Sequence, residues 1–290
     1  MSAERKHRFA MYWASSCGGC DISVLNLGDA ILDFADRFEI VFWPLAMDAK
    51  YADLEQMADG SIDLTLFSGG IRTTENLAMA RLLRRKSAIL VCFGSCATEG
   101  CIPGLANLLS TEDLLAAVFE GPSTANPDHI RPVSRWADAG IELELPALLP
   151  IVQTLDQVVE VDYLVPGCPP ETERIADVIG LVGAALDGKA QLPPRGTVVG
   201  AGHSTVCDEC RRDRNVKRLA RFARITDLTA IQSDVCLLEQ GLPCNGPATR
   251  DGCDARCPAA GAPCIGCYGP ADGVTDFGAR LLSEIGRAHV

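Results

Sequence analysis

The sequence lacks the features that mark membrane, nucleic-acid and repeat proteins. No run of eighteen apolar residues occurs among its 290, so no segment is expected to span a membrane. Lys and Arg number 26 against 38 Asp and Glu, a net charge of −12. That leaves too little clustered positive charge to neutralise a phosphate backbone, and no nucleic-acid partner is expected. Solubility accounts for the acidity itself. No tandem repeat of 20–50 residues is visible, which removes solenoids and propellers. The start, Met1 to Arg8, is charged and leads into a short apolar stretch without a small-residue cleavage site, so the reading is of a cytoplasmic chain.

Cysteine, by contrast, is abundant. Hydrophobic residues at 48% and charged residues at 22% are ordinary for a globular protein with a real core, but fourteen cysteines are not. Disulfides are disfavoured in a reducing compartment, and dense cysteine there points to metal. Six cysteines lie scattered before residue 200, and eight crowd between Cys207 and Cys267. That asymmetry suggests two units of different construction.

The first 190 residues alternate in the βα manner. Strands are expected at Arg8–Trp13, Glu39–Trp43, Ile62–Phe67, Ala88–Phe93 and Asp162–Val165, with helical patterns over Asp21–Phe38, Thr74–Lys86 and about Glu171–Leu186. Such alternation implies an α/β fold with a doubly wound, flavodoxin-like parallel sheet. Residues 102–160 read as an insertion, with helical Leu105–Leu109 and Leu114–Phe119 and a mobile or partner-facing loop from Gly121 to Pro132. Leu192-Pro-Pro-Arg-Gly196 reads as a linker. Beyond it Cys, Gly and Pro dominate, and bound metal would supply the stability that apolar burial does not. The expected division is therefore 1–190 and 191–290, the second unit small and irregular.

Position matters more than number. Cys17 and Cys20 follow the first strand, Cys96 the fourth and Cys168 the fifth. In a parallel sheet all the strand C-terminal ends share one edge, where doubly wound folds place their ligands. Four thiols dispersed over the sequence should therefore converge there, with neighbouring glycines allowing close approach of backbone N–H groups. A thioredoxin-like redox pair at Cys17-Gly-Gly-Cys20 is disfavoured by the further thiols arriving at the same edge. The remaining eight make two four-thiol sets, Cys207, Cys210, Cys236, Cys244 and Cys253, Cys257, Cys264, Cys267. Spacing alone leaves these open between zinc and iron–sulfur; the dispersed first set favours iron–sulfur.

Cys17-Gly-Gly-Cys20, Phe93-Gly-Ser-Cys96-Ala and Pro166-Gly-Cys168-Pro-Pro resemble the proximal-cluster ligands of [NiFe] hydrogenase small subunits. Cys236-Leu-Leu-Glu-Gln-Gly-Leu-Pro-Cys244-Asn-Gly-Pro is similar to that family's distal site, and Ile265-Gly-Cys267-Tyr-Gly-Pro to the end of its medial site. Met47-Asp-Ala-Lys-Tyr51, Ser68-Gly-Gly-Ile71 and the run from Cys253 to Pro270 look like the cytoplasmic methyl-viologen-reducing, F420-non-reducing type. The resemblance covers nearly the whole chain. It implies an electron-transferring subunit of a hydrogenase whose H₂ chemistry resides on a separate large subunit. It also implies three [4Fe–4S] clusters: proximal on Cys17, Cys20, Cys96 and Cys168; medial on Cys253, Cys257, Cys264 and Cys267; distal on Cys207, Cys210, Cys236 and Cys244. Two departures bear on this. Cys207 stands where many members have histidine, and Cys257 where many have proline, so ligation is expected to be all-cysteine. A further acceptor subunit of heterodisulfide reductase, flavin or ferredoxin type is implied, without a choice among them.

Several residues lie outside these sets. Cys92 is expected in the core, and Cys101 either packs or approaches the proximal set. His203 reads as a surface-loop residue, with distal ligation as the alternative, and Arg211–Arg224 as a solvated helix face suited to an acidic acceptor. Gly200-Ala-Gly202 imitates a dinucleotide turn, but neither a third glycine nor a helix follows. The rivals are the related single-cluster subunit of respiratory complex I, which has adjacent proximal cysteines and lacks the eight-cysteine tail, and a zinc-bound interaction protein.

Overall fold

The computed structural model describes residues 5–216, 219 and 221–287, with side chains as far as Ser283. Six parallel strands form its main sheet: β1 (His7–Trp13), β2 (Phe38–Phe42), β3 (Ile62–Ser68), β4 (Ser87–Phe93), β5 (Tyr163–Val165) and β6 (Thr197–Val198). Their order is β6-β5-β4-β3-β1-β2, a flavodoxin-like winding that reverses direction between β1 and β3. Side chains alternate across each strand, so one strand feeds two cores. Phe9 and Met11 of β1 join Leu64, Leu66, Val91 and Phe93 under the helices Ala30–Arg37 and Thr172–Leu186. Ala10 and Tyr12 join Phe67, Leu90 and Cys92 under the helix Thr74–Lys86. Cys92 is fully buried there, as expected of a core thiol.

The local chemistry explains the elements. Thr73 caps Thr74–Lys86, its hydroxyl accepting from the Asn76 amide at 3.1 Å, and Arg84, Arg85 and Lys86 occupy the last turn, where the helix dipole favours cations. The helical pattern expected over Asp21–Phe38 forms two helices, Gly19–Leu25 and Ala30–Arg37, because Gly28 between them takes φ +61°. The buried carboxylate of Asp162 accepts from the Leu90 amide at 2.8 Å and from Arg84 at 2.7 Å, and pairs with Arg195 at 2.9 Å. One side chain thus ties β4 and β5 to the segment after Leu192. That segment continues into β6, so the sheet extends past residue 190 to Val198.

The insertion also carries strand. Leu148–Gln153 pairs antiparallel with Ile71–Thr73, and Arg135–Asp138 with Ile141–Glu144 in an exposed hairpin. Period-two alternation is too brief in these segments to stand out.

Among the described residues from 199 to 276 regular structure is scarce: two four-residue helices, Val206–Glu209 and Arg256–Ala259, and one short 3₁₀ turn, Ile225–Asp227. Its core is small, with Val206, Leu237, Leu242 and Ala255 around Cys244 and Cys264. The helix face expected over Arg211–Arg224 is not formed in the described residues of that segment, and Arg212 is buried rather than solvated. Lys217, Arg218 and Ala220 of this stretch lie outside the described residues. Among the described residues no single helix is long and apolar enough to cross a membrane.

Candidate metal-cluster sites

At the C-terminal edge of the sheet, β1 hands the chain to Cys17 and Cys20, β4 to Cys96 and β5 to Cys168. The structure brings these thiols together. Burial first, then the neighbouring charges of Asp21, Cys168, Cys17 and Cys101, push the Cys20 thiol up to about 12. Cys20 and Cys96 are buried while Cys17 and Cys168 are exposed, so this set opens outward from the edge. Turn geometry serves the sulfurs. Gly19 N–H points at Cys17 Sγ, 3.4 Å away. Gly94 sits at φ +81°, and a Cβ there would collide with Cys20 Sγ. Only glycine satisfies both the backbone and the sulfur at that point.

Asp21, buried beside Cys20, accepts from Trp43 Nε1 at 2.9 Å and from Ser68 Oγ at 3.3 Å, fastening the Cys17–Cys20 turn to the ends of β2 and β3. Burial raises its carboxyl above the ordinary range. Sequence reasoning passed over Asp21; a carboxylate directly after Cys20, with a tryptophan closing β2, was the available signal. Cys101 approaches rather than packing apart: it lies near enough to Cys168 to raise that thiol, and Cys96 in turn raises Cys101.

The eight later cysteines lie close to one another in the cysteine-rich half. Cys207 is pushed up to about 12 by burial and by Cys244, against the pull of Arg214, with Cys236 and Cys210 adding to the rise. Cys207, Cys210, Cys236 and Cys244 line one small cavity together with Arg212, Arg214, Gly246 and Pro258. In the other set Cys267 is raised to about 12 and Cys264 to about 11, by burial foremost, and both feel Cys253; Cys253 in turn feels Cys257.

The sets are joined in a row. The Gly167 amide donates to the Cys267 carbonyl at 3.1 Å, the Ser95 hydroxyl donates to the same carbonyl, and Cys267 feels Cys168. At the other end the Cys264 amide donates to Cys244 Sγ at 3.2 Å. Cys253, Cys257, Cys264 and Cys267 therefore stand between the other two sets. His203 is exposed and hydrogen-bonded to Asp272 at 2.8 Å, as a surface-loop histidine.

Sulfur-rich, largely desolvated sites with amide donors aimed at sulfur suit iron–sulfur clusters. Among the described residues no three His, Cys, Asp or Glu side chains converge as ligands of a single ion would. Ligation requires thiolates, so filling these sites would release protons from the raised thiols.

Residues 17–182 match the family described as NADH ubiquinone oxidoreductase, 20 Kd subunit. Over 286 residues, 96% of this chain and 87% of the relative, the sequence is 40% identical to the iron-sulfur subunit of the F420-non-reducing hydrogenase of Archaeoglobus profundus. It is 36% identical over 282 residues to the corresponding subunit of the vhu F420-non-reducing hydrogenase of Methanocaldococcus jannaschii, covering 97% of this chain and 88% of that one. Among solved structures, a chain of an NAD⁺-reducing [NiFe]-hydrogenase superposes with a TM-score of 0.53 at 32% identity, over 65% of this chain and 96% of that one. The NiFeSe hydrogenase of Desulfomicrobium baculatum has a TM-score of 0.57 over 94% and 98%; at 18% identity it speaks to the fold alone. The 20 kDa match takes in four of the six sheet strands and all four edge thiols, whereas the two F420-non-reducing hydrogenase matches span the cysteine-rich tail as well, and this chain belongs to that family and, within it, to the small, electron-transferring subunits of nickel–iron hydrogenases of the F420-non-reducing type.

Proposed function

We propose that this chain holds three all-cysteine [4Fe–4S] clusters and relays electrons between the nickel–iron centre of a large subunit and a cytoplasmic redox partner. Cys17, Cys20, Cys96 and Cys168 would hold the proximal cluster in the unit 1–190. In the unit 191–290, Cys253, Cys257, Cys264 and Cys267 would hold the medial cluster, and Cys207, Cys210, Cys236 and Cys244 the distal one. Clusters of this kind supply reversible one-electron transfer, with potentials that respond to burial, net charge and N–H···S bonds.

One observation carries the reading: the three thiol sets stand in series, the first linked to the second at Cys168 and Cys267, and the second to the third at Cys264 and Cys244. The chain's own contributions are evident at each end. The first set opens at the sheet edge beside exposed apolar side chains, including Trp13, Ile22 and Ile102, which a large subunit would cover. The acceptor would meet the distal end, and a heterodisulfide reductase, flavin or ferredoxin-type subunit fits the chemistry.

Iron, sulfide and EPR measurements on anaerobically purified protein test the assignment. About twelve irons and twelve sulfides per chain are expected, four of each for every cubane. Zinc without sulfide, or a three-iron signal in the unoxidised protein, overturns it.

A further inference from the structure

Among the described residues, Arg212 is the arginine of the cysteine-rich half that lies inside it, only 7% exposed. Its Nε donates to the Pro258 carbonyl at 2.7 Å, and its Nη1 donates to the carbonyls of Gln232 at 2.5 Å and Val235 at 3.0 Å. These three acceptors belong to the chain just after Cys257 and just before Cys236, and Arg212 itself comes two residues after Cys210. The side chain also lines the cavity shared by Cys207, Cys210, Cys236 and Cys244.

Every one of those partners is a neutral backbone carbonyl. Among the described residues no carboxylate lies within ion-pair distance of Arg212, although Arg84, Arg174, Arg195, Arg250 and Arg256 each have one. A desolvated guanidinium without a counter-charge is costly, and guanidinium cannot shed its proton to escape that cost. The negative charge lining that cavity is that of the four distal cysteines as thiolates, which the exposed Arg214 meets from the solvent side and the buried Arg212 from within. Carbonyl hydrogen bonds hold the cation in place and leave its charge uncompensated for the thiolates to meet.

We propose that Arg212 is a buried counter-cation of the distal thiol set, holding the reduction potential of its cluster up and tying its loop to the medial one. The inference rests on the reading of both C-terminal sets as cluster sites. Each electron received at the distal end adds one negative charge without a proton. A fixed neighbouring cation therefore favours the reduced form, and no water is needed to reorganise around it. Arg212 is in this sense a positioning and tuning residue.

The test compares Arg212→Gln and Arg212→Lys in the intact hydrogenase complex, by potentiometric EPR of the signal that changes in Cys207→Ser, with iron and sulfide measured alongside. For Arg212→Gln the distal midpoint should fall by at least a tenfold change in the reduced-to-oxidised ratio, about 59 mV for one electron. Arg212→Lys, which keeps the charge, should stay within a factor of about three of the parent. Should Arg212→Gln lose the distal cluster, its retention in Arg212→Lys supports the charge role. An unchanged midpoint in fully loaded Arg212→Gln overturns the proposal, as does an equal shift or equal cluster loss in both variants. A parent protein without iron and sulfide at the C-terminal sets would instead defeat the underlying reading, before any variant is made.

Discussion

The two halves of this molecule hold sulfur in opposite ways. In the α/β half the thiols are appended to a structure that stands without them: both faces of the sheet are covered, and Cys17, Cys20, Cys96 and Cys168 emerge from strand ends. In the cysteine-rich half the thiols are themselves part of the core, Cys244 and Cys264 being buried among a few small and aliphatic side chains. On the proposed reading, the first half would position a metal site by topology, whereas the second would draw its topology from its metal sites, as small metal-bound domains do.

The largest expected effect separates the halves directly. Anaerobic removal of iron and sulfide should abolish amide-exchange protection across residues 199–276 while the five longer strands of the sheet stay protected. Simultaneous loss in both halves would break the contrast. Next in size, Phe93→Ala at the end of β4 should cost about 3–5 kcal/mol by opening a cavity in the core. The contrast predicts that chemical denaturation then removes the proximal EPR signal ahead of the other two. Gly94→Ala should cost roughly 1–3 kcal/mol through its left-handed backbone and the Cys20 contact, with loss of the proximal signal far exceeding what that stability change explains. At the small end, His203→Ala should change stability by less than about 0.5 kcal/mol and leave the distal spectrum as it was. A changed distal spectrum would return His203 to the ligand set.

Much of this was legible in the residues, for reasons that differ between the halves. The longer strands announce themselves by largely apolar runs, and the glycines after β3 and β4 mark where each ends. Convergence of the edge thiols follows from parallelism alone. The iron–sulfur reading of the two later sets came from resemblance, because Cys-x-x-Cys spacing is common to zinc and iron–sulfur sites. What stayed hidden depends on long-range placement. Thr197–Val198 is too short to declare itself a strand, and only pairing with Tyr163 and Leu164 makes it one. Cys101 reaches Cys168 because Gly100 at φ +78° and Cys101 itself at φ +41° turn the chain back, which spacing does not encode. Arg212 lies in a run of charged residues that reads as surface; its burial follows from the carbonyls of Gln232, Val235 and Pro258, remote in sequence.

The hydrogen bond from the Gly167 amide to the Cys267 carbonyl has a meaning beyond holding two loops together. Gly167 is bonded to Cys168, and the carbonyl belongs to Cys267 itself. A through-bond path from one thiol set to the next therefore crosses a few covalent bonds and this single N–H···O contact, with no solvent gap. Electron tunnelling between the halves would draw its electronic coupling from that contact. Any hinge motion that parted sheet and tail would break the conduction path along with the interface, so a conducting chain must also be a closed one.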